Sequence, residues 1–148
     1  MKVYVLKHER QIEPGVTSTM LIGLYSSKII VDKTISKYKN IVGFKDFPND
    51  FVVKEFEIKS HGDRVIPLGQ PVYFMQHEYS VDEDGIIYDY CTDIDVFANY
   101  NDAKKEMEEL ILEEAYPKSP NGLYAPYGFN IDECIIDEDN WMEGFVTY

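Results

Sequence analysis

The chain has 148 residues, 45% of them apolar and 28% charged, and a net charge of −13. That apolar share supports a packed core and excludes a disordered chain; at this length folding buries roughly 70% of the extended surface. The acidic balance argues against free nucleic acid as a partner, because phosphate contacts need cations.

The opening MKVYVLKHERQ has neither an apolar h-region nor a small-residue cleavage site, so no secretory signal is expected. The longest apolar run, around MLIGLY, is too short to span a bilayer. Two cysteines, Cys91 and Cys134, are too few for a disulfide scaffold. A soluble, cytoplasmic protein with reduced thiols and no membrane partner is the expectation.

Along the chain, VYVLKHE at residues 3–9 reads as a first strand, followed by a turn at Pro14-Gly15 and a second strand from Thr19 to Tyr25. Ser26 or Ser27 suits a helix N-cap. Ile30, Val31, Thr34, Ile35 and Tyr38 then recur at helical spacing. The loop GFKDFPND leads to a closing strand, FVVKEFEIK, from Phe51, and KSHGDRVIPLGQP (59–71) is a Gly- and Pro-rich connector. The same order returns. VYFMQHE at 72–78 is followed by a hairpin turn at Asp84-Gly85 and a strand from Ile86 to Phe97. Asn99 or Asn101 caps a helix carrying Ala103, Met107, Leu110, Ile111 and Ala115. After YPKSPNGLYAPYG, the strand FNIDECIID starts at Phe129.

VYVLKHE and VYFMQHE share Val, Tyr, His and Glu at matched positions. The offset between matched residues grows from 69 at the first strand to 72 at the helix and 78 at the last strand, with the growth placed at loops. Insertions after a duplication produce that pattern. The expected fold is α+β: two tandem strand–strand–helix–strand units, 1–58 and 72–148, forming one pseudo-twofold domain with antiparallel sheet. Val3 and Val5 lie on one side of the first strand, Tyr4 and Leu6 on the other, so that strand needs cover on both faces. Two units sharing one sheet would supply it, and so would two sheets packed face to face. Cys134 falls where Phe56 stands in the first unit, which marks it as a core position.

Charge divides the halves. Residues 1–69 hold 11 Lys+Arg and 8 Asp+Glu, net +3; residues 70–148 hold 3 and 19, net −16. A solvated surface accounts for acidity as such. It accounts less well for acidity confined to one of two sister units.

No motif of specific chemistry is present: no G-x-S-x-G, H-E-x-x-H, P-loop or dinucleotide fingerprint. Asp82-Glu83-Asp84-Gly85 lacks the ligand spacing of a calcium loop and reads as an acidic hairpin turn. His8-Glu9 and His77-Glu78 recur, but adjacent strand residues point to opposite faces and cannot easily act on one atom. A strand-end histidine whose ring packs and whose nitrogens bond backbone explains them more simply. Neither cysteine has a cation nearby in sequence to activate it.

Ile22-Gly23-Leu24-Tyr25-Ser26-Ser27, Gly43-Phe44 and the ending Trp141, Glu143-Gly144-Phe145 resemble a small uncharacterised bacterial domain with a G-x-Y-S-S … G-F … W-x-E-G-F pattern. Its middle is matched in the first unit and its ending in the second, as in a tandem duplicate. The second unit departs from it at Asn99-Tyr100, where the first has Ser27-Lys28. The resemblance implies a bacterial cytosolic protein with an auxiliary role. It carries no activity.

These readings converge on a non-enzymatic acidic protein-binding protein without cofactor or metal, most simply an immunity-type inhibitor. It would occlude the basic site of a bacterial toxin such as a nuclease, with charge steering association and aromatics anchoring it. The contacts expected on that reading are Asp82, Glu83, Asp84, Asp89, Asp93, Asp95, Glu109, Glu113, Asp137, Glu138, Asp139 and Trp141. The alternative is a small enzyme or ligand-binding module with a cleft between the units, lined by His8, His77 and tyrosines. A third reading is a structural accessory or phage-derived protein.

Overall fold

The computed structural model describes residues 1–13, 16–60, 66–118 and 128–140. In chain order these form β1 (Lys2–Glu13), β2 (Val16–Tyr25), α1 (Lys28–Tyr38), β3 (Phe51–Glu57), β4 (Pro71–Glu83), β5 (Ile86–Phe97), α2 (Tyr100–Leu112) and β6 (Phe129–Ile135). All eight follow the expected order. The first strand runs on to Glu13 rather than ending at Glu9, and the second begins at Val16. The second helix stops at Leu112, before Ala115.

Local chemistry sets the boundaries. Ser27 caps α1, its side chain accepting from the Ile30 amide at 3.3 Å; Asn99 caps α2, accepting from the Asn101 amide at 2.7 Å. Asp84 and Gly85 both have positive φ, 55° and 83°, the backbone of a two-residue turn that matches strand twist.

The strands make two antiparallel three-stranded sheets with the orders β2-β1-β3 and β5-β4-β6. The first strand of each hairpin is therefore central. Each hairpin also carries a bulge at the same place: Ile22 is the extra residue opposite Leu6/Lys7, and Ile94 the extra residue opposite Met75/Gln76. Val3 pairs Phe56 while Val72 pairs Cys134; His8 pairs Phe51 while His77 pairs Phe129.

The sheets pack face to face. One core holds Val3, Val5, Leu24 and Ile58 from the first half against Val72, Phe74, Val96 and Cys134 from the second. On the far side of the first sheet, Leu6, Ile22 and Tyr25 pack with Val31 and Tyr38 of α1 and with Phe44. On the far side of the second, Met75, Phe97 and Phe129 pack with Ala103 and Met107 of α2. The layers are thus helix, sheet, sheet, helix, and they explain why β1 and β4 are apolar on both faces.

One polar group crosses the central interface. Lys7, 4% exposed, reaches from β1 to form an ion pair with Asp93 of β5, and the Gln76 side-chain amide donates to the same carboxylate at 3.0 Å. Lys7 and Gln76 hold matched positions in VYVLKHE and VYFMQHE.

Candidate protein-docking surface

Both hairpins outrun the third strand of their sheet. β3 pairs β1 only as far as His8, and β6 pairs β4 only as far as His77. Beyond those residues each hairpin continues as a two-stranded ribbon. In the second ribbon the register places Tyr79 opposite Tyr90 and Val81 opposite Tyr88, one pair after the other on the same face. The Tyr79 and Tyr90 rings stack with centroids 6.4 Å apart. Tyr90 is 57% exposed and Ile86 47%.

Carboxylates gather at the end of this ribbon. Asp82, Glu83 and Asp84 are exposed at the ribbon's end, where Asp82 also accepts from the Gly85 amide at 2.9 Å. Residues 71–97 hold seven Asp+Glu and no Lys or Arg; residues 2–25, which form the first hairpin, hold three Lys+Arg and two Asp+Glu. Glu109 and Glu113 are exposed at the C-terminal end of α2, and Glu138 is exposed after β6. The backbone of Asp89 lies in β5 opposite Ser80. Trp141 lies outside the described residues, as does the rest of the tail after 140.

Four of the expected contacts also bond to other parts of this chain. Asp93 is the buried partner of Lys7. Asp95 forms an ion pair with Lys59 at 2.8 Å. Asp137 accepts from the Ser26 amide at 2.8 Å and the Ser26 hydroxyl at 2.7 Å. Asp139 accepts from the Tyr25 hydroxyl at 2.5 Å, the Tyr38 hydroxyl at 2.6 Å and Lys37 Nζ at 2.9 Å. Burial by itself would raise the Asp139 carboxyl, but these three donors outweigh it and hold the group below the ordinary carboxylate value. The Tyr25 phenol is raised by burial and by that same carboxylate. In sequence these acids looked like the exposed ones. For Asp137 and Asp139 the signal that separates them is their donors, Ser26, Lys37 and Tyr38, roughly a hundred residues away.

The two histidines do not share a cleft. His8 is fully buried, its ring against Phe44 and Phe51 and its Nε2 3.0 Å from the Phe47 carbonyl. His77 is buried against Tyr116 and Phe129. Strand alternation carries the first ring toward the α1 layer and the second toward the α2 layer, with both sheets between them. A cleft of about 420 Å³ does open beside the His77 neighbours, lined by Ile111, Glu114, Tyr116, Pro117, Lys118 and Phe129. Among the described residues no group of three or more His, Cys, Asp or Glu side chains is placed to hold a metal ion. The Cys91 and Cys134 thiols are free, and burial pushes both up to about 11. No described helix is long and apolar enough to cross a membrane.

A family model described as a domain of unknown function, DUF7336, matches residues 1–65, a little under half of the chain. That span contains β1, β2, α1 and β3. No match was found among curated proteins or among solved structures.

Proposed function

We propose that this protein is a non-enzymatic, acidic protein-binding protein: an immunity-type inhibitor that neutralises a bacterial toxin in the cytoplasm by covering its basic site. A nuclease is the class of toxin that fits best, since a cleft built for phosphates also accepts carboxylates. One observation carries the reading: of two hairpins whose registers match through a shared bulge, the second holds seven Asp+Glu and no Lys or Arg, with Asp82, Glu83 and Asp84 exposed at the end of a ribbon that also exposes Tyr90. Asp82, Glu83 and Asp84 would steer the encounter, and Tyr90 with its stacked neighbour Tyr79 would anchor it. Matched registers and strand orders also support an origin by tandem duplication, with two pseudo-twofold units of which the second diverged to carry the docking surface.

The test is binding to the product of a neighbouring toxin-like reading frame, or to a panel of basic nucleases. The association rate should fall about ten-fold between low and high salt. Asp82→Asn with Glu83→Gln and Asp84→Asn should slow association, and Tyr90→Ala should speed dissociation. An association rate indifferent to salt would sink the reading.

The cleft beside His77 supports a second reading, a small-ligand site on the α2 side. A ligand that raises the melting temperature of the wild type and of His8→Ala, but not of His77→Ala, would favour it.

A further inference from the structure

Each half of the chain lays the segment that follows its last strand along the second strand of the other half. After β3, the Lys59 amide donates to the Val96 carbonyl at 2.8 Å, and the Ala98 amide donates to the Lys59 carbonyl at 2.9 Å. After β6, the Asp137 amide donates to the Leu24 carbonyl at 2.8 Å, and the Asn140 amide to the Ile22 carbonyl at 2.6 Å. Gly23 and Asp139 form an antiparallel bridge, whereas Lys59 and Phe97 form a parallel one.

The two crossings are read by opposite chemistry. At the β2 edge the described side chains that bond to the incoming carboxylates are donors: Ser26, Tyr25, Tyr38 and Lys37. Their ligands are two carboxylates, Asp137 and Asp139. At the β5 edge the positions matching Tyr25, Ser26, Lys37 and Tyr38 are Phe97, Ala98, Glu109 and Leu110, which supply no such donor. There the incoming side chain is a cation: Lys59 Nζ pairs with Asp95 at 2.8 Å, lies 3.9 Å from Glu106, and sits over the Phe97 ring at 5.7 Å. The position matching Asp95 is Gly23, where an added Cβ would lie 2.7 Å from the Glu138 carbonyl oxygen. That absence of a side chain lets an acidic strand lie flat on the edge.

From this we infer that the β2 edge of the first half is a recognition site for an acidic strand of the pattern Asp-x-Asp, and that it takes such a strand from a protein partner as well as from its own chain. The site combines the two components of strand addition: main-chain bonds at Leu24 and Ile22 for affinity, and fixed donors at alternate positions for specificity. All its donors lie within residues 1–65, the span of the matched domain, while its present ligand comes from outside that span. Charge complementarity sets the class of occupant: the Lys37 ammonium with the converging Tyr25, Tyr38 and Ser26 hydroxyls suits acidic acceptors, and the resident ligands are carboxylates. This site is separate from the ribbon and stands or falls independently of the toxin-inhibitor reading.

The test uses the full chain and a fluorescent peptide with the sequence of residues 133–140. Asp137→Asn with Asp139→Asn strips the resident segment of its charges, so this double variant should bind the peptide about ten-fold more tightly than the wild type, whose site is filled. Adding Lys37→Glu, at an exposed lysine, should remove that gain. A peptide with Asn at both aspartate positions should not bind. Equal binding of the acidic and Asn peptides overturns the inference, as does failure of a natively folded double variant to bind. If the double variant does not fold, hydrogen exchange in the wild type decides the matter. Excess acidic peptide should speed exchange at the Asp137 and Asn140 amides by displacing the segment, and unchanged exchange overturns the inference.

Discussion

The β1–β2 and β4–β5 hairpins solve the same packing problem and then part company. Each is the centre and one edge of a three-stranded sheet, each has its bulge at the same isoleucine position, and each buries a histidine where its third strand begins. Where the side chains are buried the two agree in kind: Val3 and Val72, Val5 and Phe74, Leu6 and Met75. Past His8 and His77, where no third strand constrains them, one stays near neutral and the other carries only negative charge. The difference separates what close packing demands from what is free to serve a partner. Lys7 and Gln76 stand between these regimes. They are matched positions with different side chains, buried at the sheet interface and joined through one carboxylate.

That interface is where the comparison breaks most sharply. Lys7→Met leaves the Asp93 charge with only Gln76, and should cost about 3–5 kcal/mol by urea unfolding. Combining it with Asp93→Leu should restore most of the loss, because the pair then leaves together. Next comes Gly23→Ala. Its methyl meets the Glu138 carbonyl and the Tyr25 hydroxyl within 3 Å, so the crossing segment must shift, at about 1–3 kcal/mol. Asp95→Ala, at the matched position, loses an ion pair to a half-exposed lysine and a local bond from the Val96 amide, and should cost about 1 kcal/mol.

Asp139→Asn should cost about 1.5 kcal/mol at neutral pH, since one acceptor oxygen survives but the charge does not. Its pH dependence has a definite sign. The folded carboxyl lies below its unfolded value near 3.8, so its stabilisation is full above that value and is lost as pH falls through the folded one. The gap between wild type and variant should therefore hold steady from pH 7 to about 4 and close below. The smallest effect on folding belongs to the ribbon: Asp82→Asn, Glu83→Gln and Asp84→Asn together should move stability by about 0.5 kcal/mol or less while changing association.

Much of this was legible in the sequence. Asp-Gly specified the second hairpin turn, Ser27 and Asn99 the helix starts, and the matched VYVLKHE and VYFMQHE the two central strands. Cys134 is buried, as its alignment with Phe56 implies. Apolar residues on both faces of β1 called for two covers without naming them. The choice between a shared sheet and stacked sheets rests on contacts such as Phe56 with Phe74, which no local pattern encodes. The site was the harder part. A carboxylate in IDEDN reads the same whether it faces water or Tyr38, because its environment is set by residues about a hundred positions away. Exposed acids, by contrast, could be read at the turn itself, since a tight turn leaves nothing to bury Asp82 or Asp84.

The reciprocal crossing has a mechanical consequence. Neither sheet owns all of its own edge: β2 is completed by residues from beyond β6, and β5 by a residue from beyond β3. Opening one half therefore strips bonds from the other, and the two cannot fray in turn like beads on a string. Thermal unfolding should be one cooperative transition, with calorimetric and van't Hoff enthalpies equal, and the slowest-exchanging amides should be shared between β1 and β4.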